Sequence, residues 1–498
     1  MAERDPGSAS DAVSGFDADL RDKTTRSIGW TITRQVSDQL FSFLVFVILA
    51  RLLTKEAIGI YAMAYVFAEI GRIIATAGLM QIIARAQIAD AKLKDTIFWS
   101  NIALAIAYVA LVWVTAPWIA RWVEQPGLVA PLRVLALALP INALGATHMA
   151  LRLREFGHKT IALRSLLAGI IGGGAAVVAA FAGAGIWALV IQRCLTEAVG
   201  AVLAWTSYRW VPGRAFDWQQ ARHNLGFGGN LTIAQLIFLM IVRVQDLLIG
   251  ANLGAAAVGT YRVAWRSNEI FANGAIQPFS SVGLQTYSRL QGNPEGLRQA
   301  YQAMLGTCAA LSFPALVGFG VLSPEIVPLV FGAKWAEAGA LGQIFAFMAV
   351  PYTLNYFASP VLTAMGNSRR QRTLAVVQLL STLLLTWLAL PFGLMAVAIA
   401  YVARSYLTLP LQIRFLRETS GIRWRDTVVA VRAPFIASTA MGVLLWSALA
   451  AMKATGWLAV IAAIALGGLF YLGALALLSR FHRQLAAKLL TRKGLVLP

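Results

Sequence analysis

The chain has 498 residues, of which 58% are apolar and only 13% charged, with a mean hydropathy of +0.68. Soluble domains carry about 25% charged residues, so a water-soluble enzyme is excluded and an all-α polytopic membrane protein is expected. The formal charge of +20, from 42 Lys and Arg against 22 Asp and Glu, suits cytoplasmic loops, where Lys and Arg accumulate because they resist translocation, and calls for no nucleic acid partner.

In chain order, residues 1–27 mix Ser, Gly, Pro and charge without the apolar core of a signal peptide and are expected to be a disordered cytoplasmic tail. Apolar blocks of bilayer length follow near 28–50, 58–82, 97–120, 128–151, 165–183, 185–207 and 225–250. A second set lies near 256–284, 299–321, 336–365, 372–391, 393–413, 433–452 and 456–479, for about fourteen spans. The stretch 323–339, with Pro324, Pro328, Lys334 and Trp335, reads as too broken to span and is expected at the outer interface. Residues 480–498 form a basic tail. With the amino terminus inside, cytoplasmic segments collect 29 Lys and Arg against five outside, namely Arg51, Lys55, Arg121, Lys334 and Lys453. That asymmetry requires an even span count and puts both termini in the cytoplasm.

An internal repeat organises the spans. Residues 57–70 (AIGIYAMAYVFAEI) and 257–270 (AVGTYRVAWRSNEI) align without a gap at an offset of 200, with six identities in fourteen: Ala57/Ala257, Gly59/Gly259, Tyr61/Tyr261, Ala64/Ala264, Glu69/Glu269 and Ile70/Ile270. Spans two and eight differ by an even number, so the copies run in parallel through the membrane, as in transporters built from two lobes. The expected domains are an N-lobe at 28–207 (spans one to six), a C-lobe at 225–413 (spans seven to twelve) and an appended pair at 433–479.

Ionisable residues at bilayer depth cost ~2.5–3.5 kcal/mol on insertion scales and normally face a partner or a wet cavity. Here they pair by helical spacing: Arg34 with Asp38, Glu69 with Arg72, Arg193 with Glu197, and Arg243 with Asp246. In span eight Arg262, Arg266 and Glu269 fall within an arc of about 60°. Eight arginines, including Arg133 and Arg404, outnumber five carboxylates at depth. The planar, permanently charged guanidinium suits phosphate, so a cavity between the lobes is expected to take an anion. Arg262 and Arg266 are the first candidate ligands, Arg34 and Arg72 a second station nearer the cytoplasm. Asp38, Glu69, Asp246 and Glu269 balance charge or couple ions, unless each pair only locks its helices. Pro278 in span eight is a candidate hinge for alternating access.

No catalytic, metal or cofactor site is expected. Cys194 and Cys308 lie in apolar blocks, the four histidines lack ligand spacing, and no Gly-rich Lys-Ser/Thr nucleotide motif occurs.

The stretches ILARLLTKEAIGIYAMA (48–64), GAGIWALV (183–190), DLLIGANLGAAAVGTY (246–261) and FGAKW (331–335) resemble the Wzx-type polysaccharide flippases. These form the polysaccharide transporter branch of the multidrug/oligosaccharidyl-lipid/polysaccharide exporter superfamily, and the branch serving colanic acid and related exopolysaccharides is the most similar. The resemblance extends over about residues 25–480. It implies a non-enzymatic flippase that turns undecaprenyl-pyrophosphate-linked oligosaccharide from the cytoplasmic to the periplasmic leaflet of a bacterial inner membrane, working beside polysaccharide polymerase and export machinery. The pyrophosphate would meet arginine and the polyprenyl tail would stay in lipid.

Four other readings compete. A drug or cation antiporter of the same superfamily would want an acid-rich cavity. A flippase for the peptidoglycan lipid precursor shares the same physics. A silent scaffold for polysaccharide assembly would not need paired charges in equivalent helices, and a membrane glycosyltransferase or polymerase would want an acidic or metal-binding loop.

Overall fold

The computed structural model describes residues 37–76, 78–79, 82–83, 90–155, 157–452 and 456–479. Both expected tails, and Arg34, lie outside them. With no water in the hydrocarbon to satisfy backbone groups, long apolar blocks must close their hydrogen bonds internally, and they do so as helices. These are α1 (37–52), α2 (Lys55–Thr76), α3 (Ala91–Trp122), α4 (Val129–Arg154), α5 (His158–Phe181), α6 (Ile186–Ser207), α7 (Trp218–Leu253) and α8 (Ala255–Arg289). After them come α9 (Pro294–Phe331), α10 (Ala336–Ala346), α11 (Ala349–Ala364), α12 (Ser368–Ala389), α13 (Leu394–Leu407), α14 (Leu409–Ser420), α15 (Trp424–Met452) and α16 (Trp457–Leu478). Side-chain caps start several of them: Thr54 Oγ1 accepts from Ala57 N at 3.1 Å, Asp90 Oδ1 from Leu93 N at 2.8 Å and Asn293 Oδ1 from Gly296 N at 2.8 Å.

Eleven helices among the described residues are long and apolar enough to cross a bilayer, and twelve if the bent pair Ala333–Ala346 and Ala349–Ala364 is one span. The expected fourteen also included span one, whose first residues are outside the description, and α8. That helix is 35 residues long, carries Arg262, Arg266 and Glu269, and is not among the eleven.

The chain packs as two units, one of segments up to Leu52, Ala64–Trp122 and Pro126–Leu236, the other of Leu53–Met63, Val123–Gln125 and Ile237 onward. In the first, α6 lies against α5 and α4, and α4 against α3. In the second, α9 packs on α8, α10 and α15 around buried Tyr287, Tyr301, Phe313 and Phe357. The last helix, α16, packs against both α15 and α9.

The repeat acquires a physical role in the second unit, which includes the first turns of α2. A Cβ at Gly59 would collide with the Ala255 carbonyl, and one at Gly259 with the carbonyl of Lys55. Residues 55 and 255 are themselves repeat equivalents, so the two helix starts cross reciprocally, each glycine against the other copy. Removing the side chain at that crossing is what lets membrane helices approach backbone to backbone.

Proline is tolerated in these helices because other helices satisfy the carbonyls it frees. Having no N–H, a proline leaves the carbonyl four residues back without its partner. Pro117 frees Trp113, whose oxygen accepts from Arg133 Nη2 at 2.9 Å. Pro314 frees Ala310, which accepts from the Tyr471 hydroxyl at 2.8 Å, tying α16 to α9. Pro351 stands in the first turn of α11, and the Phe347 carbonyl, at the end of α10, accepts from the Tyr406 hydroxyl at 2.7 Å. At that third site the chain bends by 58° between α10 and α11.

The stretch expected to be broken is mostly helix. Helix α9 continues through Pro324 and Pro328 to Phe331, and only Gly332, at φ 105°, turns the chain into a short 3-10 turn and α10. Trp335, expected at the interface, is fully buried. The small Gly339 lets α10 lie against Ser323 and Pro324 of α9, and Ser323 Oγ donates to the Gly339 carbonyl at 2.8 Å.

Candidate functional site: charged clusters and a lined cavity

Of the four pairs expected from helical spacing, the three whose residues are described all close. In the first unit Arg72 Nη2 donates to Glu69 Oε2 at 2.8 Å, and Arg193 lies 2.7 Å from Glu197. The two pairs then merge. Arg193 is also 3.8 Å from Glu69, Tyr65 donates its hydroxyl to Glu69 at 2.5 Å, and Asn142 Nδ2 donates to Glu197 at 2.7 Å. One network therefore joins α2, α4 and α6, with Glu69 buried and Arg72 partly open, its side chain 41% exposed. Asp38 stands apart from it and accepts from Ser165 Oγ of α5 at 2.7 Å. Arg164 Nε donates to the Gly200 carbonyl at 2.6 Å.

In the second unit Asp246 of α7 is fully buried and its main partner is Arg262 of α8, with Arg243 at 3.9 Å. Next to it Tyr261 donates to Gln245 Oε1 at 2.5 Å, and Gln245 Nε2 donates to Thr386 Oγ1 at 3.0 Å. This buried polar seam links α7, α8 and α12. One turn on, Arg266 pairs with Glu269 at 2.9 Å. Pro278 falls within the uninterrupted helix α8.

A cavity of about 490 Å³ opens within the second unit. Glu269 and Arg404 both line it, with Trp265, Tyr352, Tyr356 and Gln378 among its walls. Arg262 and Arg266 are not among its lining residues. Arg404 is 5% exposed, its guanidinium carbon sits 4.5 Å from the Tyr401 ring centre, and its Nε has no hydrogen-bond partner. Neither Arg404 nor Arg133 has a carboxylate at helical spacing in its own span. Arg133 turns out to cap a carbonyl, while Arg404 faces the cavity. No spacing rule could separate them, because both partners come from other helices or from empty space.

The linker between α6 and α7 was also unmarked in the sequence. Asp95 accepts from Gly213 N at 3.0 Å, Trp99 Nε1 donates to the Gly213 carbonyl at 2.9 Å, Thr96 Oγ1 accepts from Asp217 N at 3.1 Å, and Lys92 pairs with Asp217 at 2.8 Å. The Lys92 ammonium holds the Asp217 carboxyl below its usual range. The linker is thereby clasped to the start of α3.

Residues 48–340 match the family model described as polysaccharide biosynthesis protein. The chain belongs to that family. It is 24% identical over 357 residues to the teichuronic acid biosynthesis protein TuaB of Bacillus subtilis, covering 70% of this chain and 73% of TuaB. It is also 24% identical over 314 residues to the succinoglycan biosynthesis transport protein ExoT of Rhizobium meliloti, covering 63% of this chain and 64% of ExoT. The chain thus spans about two thirds to three quarters of these relatives' length. In fold it is similar to the lipid II flippase MurJ in an inward closed conformation, with a TM-score of 0.73 and 14% identity over 91% of this chain and all of MurJ. This polysaccharide biosynthesis family member is accordingly an all-α multi-pass membrane protein with a transporter fold.

Proposed function

We propose that the protein is a flippase. It carries an oligosaccharide repeat unit on undecaprenyl pyrophosphate from the cytoplasmic to the periplasmic leaflet of a bacterial inner membrane, by alternating access, for surface polysaccharide assembly. The observation that carries the reading is the cavity inside a membrane-spanning unit, largely apolar but with the buried guanidinium of Arg404 in its wall. A buried arginine holding no carboxylate is a place for an anion. Family membership supplies the cargo class, because relatives are named for teichuronic acid and succinoglycan biosynthesis.

In this reading Arg72 of the first unit and Arg266 of the second, each partly open and each paired with one glutamate, each contact the pyrophosphate in transit, and Arg34, outside the described residues, keeps its expected role in a station nearer the cytoplasm. Arg262 acts with Asp246 as the lock between α7 and α8. Asp38, Glu69 and Glu269 balance charge, and Pro278 serves as the hinge. Both termini are cytoplasmic, fourteen spans form two six-helix lobes plus a final pair, and the chain performs no covalent chemistry. A cation antiporter is disfavoured, because Glu69, Glu197, Asp246 and Glu269 are all occupied by arginine.

Deleting the gene tests the reading. Surface polysaccharide should stop while lipid-linked repeat units accumulate facing the cytoplasm, with rescue by the wild-type gene. Normal polysaccharide in the deletion strain would overturn it.

A further inference from the structure

Three features of the cavity in the second unit point beyond simple anion capture. The first is its chemistry. Trp265, Tyr352 and Tyr356 supply aromatic surface, the two tyrosine rings lying 5.0 Å apart with their hydroxyls 3.3 Å from each other. Gln378, Nε2 of which donates to Asn355 Oδ1 at 3.4 Å, adds amide groups that can both give and accept. A pyranose presents the complement, an apolar C–H face for an aromatic ring and a rim of hydroxyls that need donors and acceptors together. An acyl or polyprenyl chain would leave these polar groups unpaired at a cost.

The second is the pair of opposite charges. Arg404 offers a buried fork whose Nε is unpartnered, whereas Glu269, paired with Arg266 at 2.9 Å, keeps carboxylate lone pairs that a hydroxyl can use. An anion satisfies the first and a sugar hydroxyl the second. A free phosphate would use Arg404 and leave Glu269 repelled, and an organic cation would do the reverse. The third is size. About 490 Å³ lies toward the lower end of ligand pockets, room for part of a repeat unit rather than for the unit with its carrier.

We propose that this cavity is an anionic-saccharide subsite: it takes a pyranose bearing a phosphate or carboxylate, with Arg404 on the anion, Glu269 and Gln378 on hydroxyls, and Tyr352 and Tyr356 against the ring. The proposal rests on the flippase reading and deepens it, since it makes the second unit the place where the glycan itself is recognised. The anion is either the carrier's own phosphate, when the sugar is the first of the unit, or the carboxylate of an acidic sugar.

The test uses the full-length protein in nanodiscs and two lipids in competition, read by native mass spectrometry: the lipid-linked repeat unit extracted from the source cells, and undecaprenyl pyrophosphate without sugar. The wild type should favour the glycosylated lipid by about tenfold or more. Tyr352→Ala and Gln378→Ala, together with the bulk-preserving Tyr352→Leu in case the first fails to fold, should bring that preference close to one while retaining the bare carrier. Arg404→Ala should weaken the glycosylated lipid and Arg404→Lys should restore part of it. Soluble glucose 1-phosphate and glucuronate, added as competitors, separate the two anion sources, since displacement by the first alone assigns the phosphate and by the second alone the acidic sugar. A wild type that prefers the glycosylated lipid, with pocket variants that keep the whole preference, would overturn the subsite and leave the flippase reading intact. A wild type that binds neither lipid would overturn both.

Discussion

Substituting Gly59 or Gly259 with Ala should loosen the crossing of α2 and α8, and the size of the effect follows from the backbone. The new Cβ at position 59 would meet the carbonyl of residue 255, and the one at 259 the carbonyl of residue 55. Neither obstacle is a side chain that can rotate away, so the helices must separate. Overpacking of this kind costs about 1–3 kcal/mol, offset by up to ~1 kcal/mol from the better helix propensity of alanine. A net loss of about 1–2 kcal/mol corresponds to a fall in Tm of roughly 2–8 °C, using the scale for chains of 150–250 residues as a guide. The two substitutions share one crossing, a Cβ at 59 also lying 3.1 Å from the Gly259 nitrogen, so the double variant should cost less than the sum of the singles. Thermal unfolding of the detergent-purified protein, followed by intrinsic tryptophan fluorescence, measures all three. A double variant with the wild-type Tm would refute the reciprocal crossing, and strict additivity would refute its being one site.

Further outcomes follow from the buried polar groups. Asp246→Ala strands the Arg262 charge and should destabilise the protein by about 3–5 kcal/mol, whereas Asp246→Leu with Arg262→Met should recover most of that loss. Retained transport in the double variant would assign Arg262 to the lock, and lost transport in a stable double variant would return it to cargo binding. Tyr406→Phe leaves the helix-end carbonyl of Phe347 unpaired and Tyr471→Phe the proline-freed carbonyl of Ala310, and each should cost about 1–3 kcal/mol in thermal unfolding, with no change in cargo preference. Asp217 has a lowered pKa from its bond to Lys92, so its stabilising contribution is present above the ordinary aspartate value of 3.8 and lost as pH falls through the lower folded value. Amide exchange in residues 208–217 should therefore speed up on acidification below about pH 4 relative to neighbouring helices, after correction for intrinsic rates, and Lys92→Met should shrink this acid-induced change.

The parts of this structure that were legible from the chain are those governed by one helix at a time. Apolar length gave the spans, and the three- and four-residue spacings of Glu69 with Arg72, Arg193 with Glu197, Arg243 with Asp246, and Arg266 with Glu269 are all met by ion pairs. What spacing could not reveal is choice among helices. Asp246 prefers Arg262 of the next helix over Arg243 of its own, and Glu69 recruits Arg193 from α6. Proline misled for a related reason. Pro324 and Pro328 read as a break, yet α9 runs straight through them, as it does through Pro314, where a tyrosine 161 residues away takes the Ala310 carbonyl. The cavity was invisible for the same cause, since Glu269, Tyr352, Gln378 and Arg404 come from four different helices.

The central claim, that this chain moves a glycosylated polyprenyl pyrophosphate across a bilayer, is tested most directly by reconstitution. Lipid-linked repeat units extracted from the source cells are placed in the inner leaflet of vesicles containing the purified protein, and their sugars are titrated from outside with a membrane-impermeant periodate reagent. The account predicts that oxidisable sugar appears outside with time in vesicles carrying the wild type, and far more slowly with Arg404→Ala at equal protein content. Sugar exposure no faster than in protein-free vesicles would contradict it.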